Sequence, residues 1–136
     1  MSYYMRIRAY EKGLLVKDLL RLFATLTDPT RLRLLRLVQR QELCVCELID
    51  ALQMPQYKVS RHLRLMRSVG LVEASRSGRW MHYRISRKVA SSSFHQELLK
   101  LLEVHLRDLP EVKRDDTRLT RRLALRRAGR CVVGQR

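Results

Sequence analysis

The hydrophobic period of this chain changes once, after Gly70, and that change restricts the fold more than any single motif. Before it, apolar residues return every three or four positions, the spacing of helices that bury one face. After it, LVEAS and RWMHYRIS are short runs rich in Val, Trp, Tyr and Ile, separated by Arg76, Ser77 and Gly78, which predict a hairpin. Leu15, Leu19, Leu22, Phe23 and Leu26 predict a first helix from about Leu14 to Leu26. A second follows at Pro29, capped by Thr27 or Asp28, with Leu32, Leu35 and Val38 as its buried stripe through about Arg40. Val45, Leu48, Ile49 and Leu52 make a short third helix. Pro55, at a first-turn position, starts a fourth that is striped by Val59, Leu63 and Met66 and ended by Gly70. Beyond the hairpin, Phe94, Leu98, Leu101, Leu102 and Leu106 predict a fifth helix that closes near Pro110. The class is mainly α with a small β-hairpin.

The 136 residues suit one domain with an extension, and an aromatic content of 6% favours leucine-based helix packing. Residues 1–110 read as the folded domain. Residues 111–136 read as a basic, mobile tail, because from Lys113 onward nine Lys or Arg face two acids, a balance of 9 − 2 = +7, with few apolar positions; Leu119, Leu123 and Arg126 allow a short helix there, formed on contact with a partner. The whole chain carries +16, a field that gathers polyanions, so DNA or RNA is the expected partner and anionic lipid the alternative. No apolar run approaches the roughly 18 residues that cross a bilayer, and no signal-peptide pattern follows Met1, so the expectation is a cytoplasmic protein with no membrane partner. Three cysteines in a reducing compartment argue against a disulfide framework and leave thiol, metal or redox chemistry open.

Two short helices joined around Gln53 to Pro55, the second basic and followed by a β-ribbon, have the order of a winged helix–turn–helix. On the fourth helix Val59, Leu63 and Met66 fall on one side, and Tyr57, Lys58, Ser60, Arg61 and Arg64 on the other. Arg61 and Arg64 suit guanine edges or phosphates, Gln56 suits adenine, and Tyr57 and Ser60 suit phosphate oxygens. His62 lies beside the core stripe and reads as a packing or phosphate-contacting residue. Arg76 and Arg79 flank the hairpin turn, within reach of backbone or minor groove.

Cys44 and Cys46, in ELCVCEL, sit just ahead of this unit. Thiolates are soft donors that favour thiophilic ions over Mg²⁺ or Ca²⁺. Residues two apart point in nearly opposite directions on a helix and to one side on an extended segment, so both sulfurs reach one ion only where the stretch is not regular helix.

ELCVCEL, followed by KVSRHLRLMRSVGLVEASRSGRWMHYRIS, closely resembles the arsenic-sensing branch of the ArsR/SmtB family of metal-responsive repressors, over about Leu14 to Leu109. The resemblance implies a homodimer joined through its first and last helices. It implies binding to an imperfectly palindromic double-stranded operator, and release on binding As(III) or Sb(III), with no organic cofactor and no catalysis. Cys44 and Cys46 match the family's two thiolate ligands. The common pattern has a further Cys three residues later, where this chain has Ile49, so Cys131 is the candidate third ligand. Competing expectations are a thiol redox-responsive repressor, a Zn²⁺-responsive one using His95, Glu97, His105 and Asp108, and a non-sensing basic nucleic-acid-binding protein. CxC outside a βαβ unit, scattered glycines and the lack of a nucleophile motif argue against an enzyme.

Overall fold

The computed structural model describes residues 15–134. Helix α1 spans Val16–Thr25 and α2 Pro29–Arg40, and a two-residue strand β1, Leu43–Cys44, runs directly into α3, Val45–Leu52. Helix α4, Gln56–Ser68, precedes the hairpin β2, Val72–Ser77, and β3, Trp80–Ile85; a single turn α5, Arg87–Ala90, leads to α6, Ser93–Leu106, and α7, Pro110–Leu123. The chain is mainly α around a small antiparallel sheet ordered β1-β3-β2. Leu14, proposed as the start of the first helix, lies outside the described residues.

The helix boundaries follow their local chemistry. The Asp28 carboxylate accepts from the Thr30 and Arg31 amides ahead of Pro29, so the first turn of α2 has its free N–H groups satisfied. Pro55 sits one residue earlier than expected, as the N-cap of α4. Helices α3 and α4 are joined through Gln53, whose φ of 55° and ψ of 47° place a non-glycine residue in the left-handed region. That conformation ends α3 within one residue and lets α4 begin three residues later.

Leu34, Leu35, Leu37, Val38, Leu48, Leu52, Val59, Leu63, Met66 and Tyr83 form the centre of the core. Val59, Leu63 and Met66, the stripe expected on the fourth helix, are fully buried. Helix α2 is more enclosed than its expected stripe: Leu34, Leu37 and even Arg36 are buried, while Leu32 is only half-buried. The reason is that α2 packs against α4, α6, α7 and β3, so it has no fully solvated face.

Three parts of the fold depart from the sequence reading. Strand β1, too short to show alternation, pairs Leu43 with Tyr83 and Cys44 with His82. Strand β2 runs through Arg76 and Ser77, leaving Gly78 and Arg79 as the loop, with Gly78 at a φ of 61° that this tight turn requires. The third departure corrects the expected mobile tail: Pro110–Leu123 is the helix α7, docked on α3. Val112 and Leu119 are buried there, and so are Asp115 and Arg122. Arg33 donates through Nε and Nη2 to the two Asp115 oxygens at 2.8 and 2.7 Å, and Arg36 reaches Asp116 and Glu103. Ion pairs therefore supply the fixing that the apolar count could not.

A buried thiol pair beside a basic helix

The junction of β1 and α3 places Cys44 and Cys46 in different environments. Cys44 is the N-cap of α3, extended at φ −82° and ψ 159° and fully buried. Its amide donates to Glu47 Oε1 at 2.9 Å. Cys46 is half-buried in the first helical turn. The expected condition for joint capture, an extended CxC, is thus met at Cys44 and not at Cys46.

The sulfur that the fold brings to Cys44 belongs to Cys131. The two Sγ atoms stand 2.7 Å apart although 87 positions separate them in sequence. With Glu47 they form a buried trio whose ligand atoms lie within 4.8 Å of one another; Cys46 is not a member of it. Ile49, where the resemblance leads one to expect a further thiol, is buried among Leu and Val side chains of the core.

Arg126 and Arg122 hold the segment that carries Cys131. Arg126 donates through Nε and Nη2 to both Glu47 oxygens at 2.6 Å, and Nη2 also reaches the Glu42 carbonyl at 3.0 Å. Arg122 donates to the carbonyls of Val133 and Gly134, lies 3.7 Å from the Cys131 sulfur, and pairs with Asp50 of α3 at 3.3 Å. Burial works to raise the Glu47 pKa, but the Arg126 guanidinium and the Cys44 amide outweigh it and keep the carboxyl below its ordinary range. Burial, followed by the neighbouring Cys131 thiol, pushes the Cys44 thiol far above its ordinary value. Both Glu47 oxygens are bonded to Arg126, so the trio offers two sulfurs and a carboxylate already held in an ion pair. That donor set suits a thiophilic centre and is poor for Zn²⁺, which takes four ligands.

On α4, Tyr57, Lys58, Arg61 and Arg64 are exposed and Ser60 is half-buried, away from the core residues Val59, Leu63 and Met66, and Gln56 is exposed as the first residue of the helix. His62 is half-buried, its Nδ1 3.3 Å from Arg31 Nη1, and burial lowers its pKa from the ordinary value. Arg76 and Arg79 are exposed at the hairpin tip, with Arg79 4.9 Å over the Trp80 ring. Of the expected zinc donors, His95 is buried with its Nδ1 2.8 Å from Ser92 Oγ, and the cluster of three donor residues found among the described residues, Cys44, Glu47 and Cys131, contains none of His95, Glu97, His105 and Asp108. Among the described residues no helix is long and apolar enough to cross a membrane.

Residues 28–74 match the bacterial regulatory protein, arsR family. An arsenic resistance transcriptional regulator of Pseudomonas putida is 41% identical over 88 residues, 62% of this chain and 69% of that protein. The chain belongs to the arsR family. The arsenical resistance operon repressor of Escherichia coli is 47% identical over 68 residues, 49% of this chain and 58% of that protein. Among solved structures, reduced HlyU of Vibrio cholerae shares 26% identity at a TM-score of 0.58, covering 65% of this chain and 88% of its own. A homodimeric winged helix–turn–helix DNA-binding domain from Mycobacterium bovis shares 29% identity at 0.57, covering 72% and 87%. The arsR-family chain is accordingly a winged helix–turn–helix transcriptional repressor and not an enzyme. The extended Cys44, the turn at Gln53 and the exposed face of α4 all lie within the matched segment, whereas α7 and Cys131 lie beyond it.

Proposed function

We propose that this repressor controls an arsenical-resistance operon and leaves its operator when As(III) or Sb(III) binds Cys44 and Cys131. The observation that carries this reading is the contact between those two buried sulfurs at the start of α3. Cys46, in the first turn of the same helix, is the third protein thiol near this junction and joins only if that turn opens. Condensation of thiols with As–OH groups releases water and forms As–S bonds, so the ligand selected is one that tolerates a dry, sulfur-only pair.

Inserting an atom between sulfurs 2.7 Å apart pushes them outward. Cys44 is held to β3 through its pairing with His82, and Cys131 is held by Arg122, so the displacement is passed to the start of α3. Gln53 then couples α3 to α4 with no slack loop between them. The exposed face of α4, with Arg76 and Arg79 of the wing, is the operator-contacting surface in this reading. By linkage the inducer must prefer the DNA-incompetent arrangement, and a coupling of roughly 1 to 3 kcal/mol changes operator affinity about 5- to 150-fold.

The dimer in this reading joins α1 and α6, which leave apolar side chains exposed: Val16, Leu20 and Phe23 lie along one face of α1, and Leu101 and Val104 lie on α6. A two-fold pair of reader helices addresses half-sites about 34 to 36 Å apart, hence an imperfect palindrome. The decisive experiment is operator release by arsenite, antimonite, zinc, cadmium and peroxide. Arsenite and antimonite are expected to release the wild type, and Cys44→Ser and Cys131→Ser to stay bound. An unaltered arsenite response in both variants overturns the reading, and release by peroxide alone transfers the sulfur pair to redox sensing.

A further inference from the structure

A cleft of about 520 Å³ opens beside Cys131, between the outer half of the wing and the segment that follows α7. Its size falls in the roughly 300 to 1,000 Å³ range of small-molecule sites. Trp80 supplies an aromatic wall, Ser77 of β2 a hydroxyl and Arg130 an exposed cation, while the Ser75 hydroxyl donates to the Glu42 carboxylate, which also lines the cleft. Arg126 also lines the cleft, with its guanidinium committed to Glu47 and the Glu42 carbonyl. The cleft reaches the sulfur pair through Cys131, which lines it while touching Cys44.

The inference rests on As(III) binding at Cys44 and Cys131. Trivalent arsenic completes its coordination with three sulfurs, and the buried trio offers two sulfurs and a carboxylate whose oxygens are already engaged. We propose that the cleft holds a small organic thiol bearing a carboxylate, whose sulfur supplies the third bond to As(III) at Cys44 and Cys131. Arg130 and the Ser77 hydroxyl recognise the carboxylate end, and Trp80 covers the carbon skeleton. The step balances without an oxidant or reductant. As(OH)₃ loses three hydroxides, each leaves as water with one thiol proton, and three As–S bonds form while arsenic stays trivalent. Helix α3 need not open to bring in Cys46, so the first turn stays capped by Glu47 while the two protein sulfurs move.

The test is non-denaturing mass spectrometry of the full chain with arsenite and either glutathione, which carries carboxylates, or 2-mercaptoethanol, which carries none. The expected species holds one arsenic and one glutathione per subunit, and Cys46→Ser retains it. Arsenite-driven operator release is expected at roughly three- to fivefold lower arsenite with glutathione than with 2-mercaptoethanol, the scale of one exposed ion pair. Arg130→Glu is expected to remove that difference while leaving arsenite binding in 2-mercaptoethanol intact. An adduct carrying arsenic but no external thiol, lost in Cys46→Ser, overturns the inference in favour of three protein sulfurs. Equal potency of the two thiols in the wild type overturns it as well. Both results leave the Cys44–Cys131 reading standing; undiminished arsenite binding in Cys44→Ser and Cys131→Ser removes that reading and, with it, the inference.

Discussion

Glu47 shows how much one side chain holds together at this junction. It receives the Cys44 amide, anchors Arg126 and so ties the cysteine at position 131 to the helix that precedes the reader. Spacing alone singled out Cys44 and Cys46, because neighbours in sequence are visible as a pair. Cys131 entered only as the candidate third ligand; that the fold sets it, and not Cys46, against Cys44 was not visible, since nothing local encodes which residues 87 positions apart will meet. Ile49 was legible in the opposite sense, because an apolar residue in a helix stripe belongs to the core whatever a relative carries there. His95 gives a prediction at this scale. Burial first, then Lys88, lowers its pKa below the ordinary 6.5, so the unfolded chain binds the proton more readily than the native one. Stability should therefore fall as pH drops through 6.5 towards the depressed native value, by the histidine contribution alone before carboxylates titrate. His95→Gln is expected to reduce the fall in melting temperature between pH 7.5 and 5.5 relative to wild type, His62 with its own lowered pKa retaining part of it, and an unchanged slope would assign the acid sensitivity elsewhere.

Among the elements, α4 and α7 illustrate opposite degrees of legibility. On α4 the buried set Val59, Leu63 and Met66 is wholly apolar and the outer set is polar apart from Leu65, so period and chemistry agree. Replacing Arg61 or Arg64 with Ala should weaken operator binding and, where the lost contact is to phosphate, reduce the salt slope by about 1. Titration of binding against salt concentration checks it, and an unaltered affinity in both variants would move the reading surface off this face. On α7 the buried positions Val112, Asp115, Leu119 and Arg122 also keep helical spacing, but two of the four are charged. A reading that assigns charge to solvent misses the helix for that reason. The stripe becomes apparent only when Arg33 and Asp50 supply counter-charges from other segments, with Arg118 adding one from the next turn of α7. Asp115→Asn should destabilise the fold by roughly 2 to 4 kcal/mol in urea unfolding, below the upper range for buried pairs because the Arg33 side chain keeps 18% of its exposure. The same variant should lower the yield of Cys44–Cys131 cross-linking by a bifunctional thiol reagent, since α7 sets where Cys131 lies. Strand β1 stayed hidden because two residues cannot display a period of two.

For the molecule as a whole, the change of period at Gly70 foretold the division into helices and wing, and the +16 charge foretold a polyanion partner. The charge did not foretell its own distribution: much of the basic character beyond Lys113 is spent internally, with Arg118, Arg122 and Arg126 each bonded to α3 or to the chain near it. The exposed remainder includes α4 and the hairpin tip, and also Lys113, Arg114, Arg121, Arg127 and Arg130 on and after α7. The two sulfurs at the site come from opposite reaches of the polypeptide, and an unfolded chain separates them. An atom bonded to both would fasten the start of α3 to the stretch beyond α7 and close a loop of most of the domain, in the manner of a staple. Arsenite should thus raise the melting temperature of the DNA-free protein by mass action on the native state, even as it frees the promoter, and Cys131→Ser should abolish the rise. The same ion that ends repression would leave behind a tougher, longer-lived protein, ready to reclaim its site once the toxin is gone.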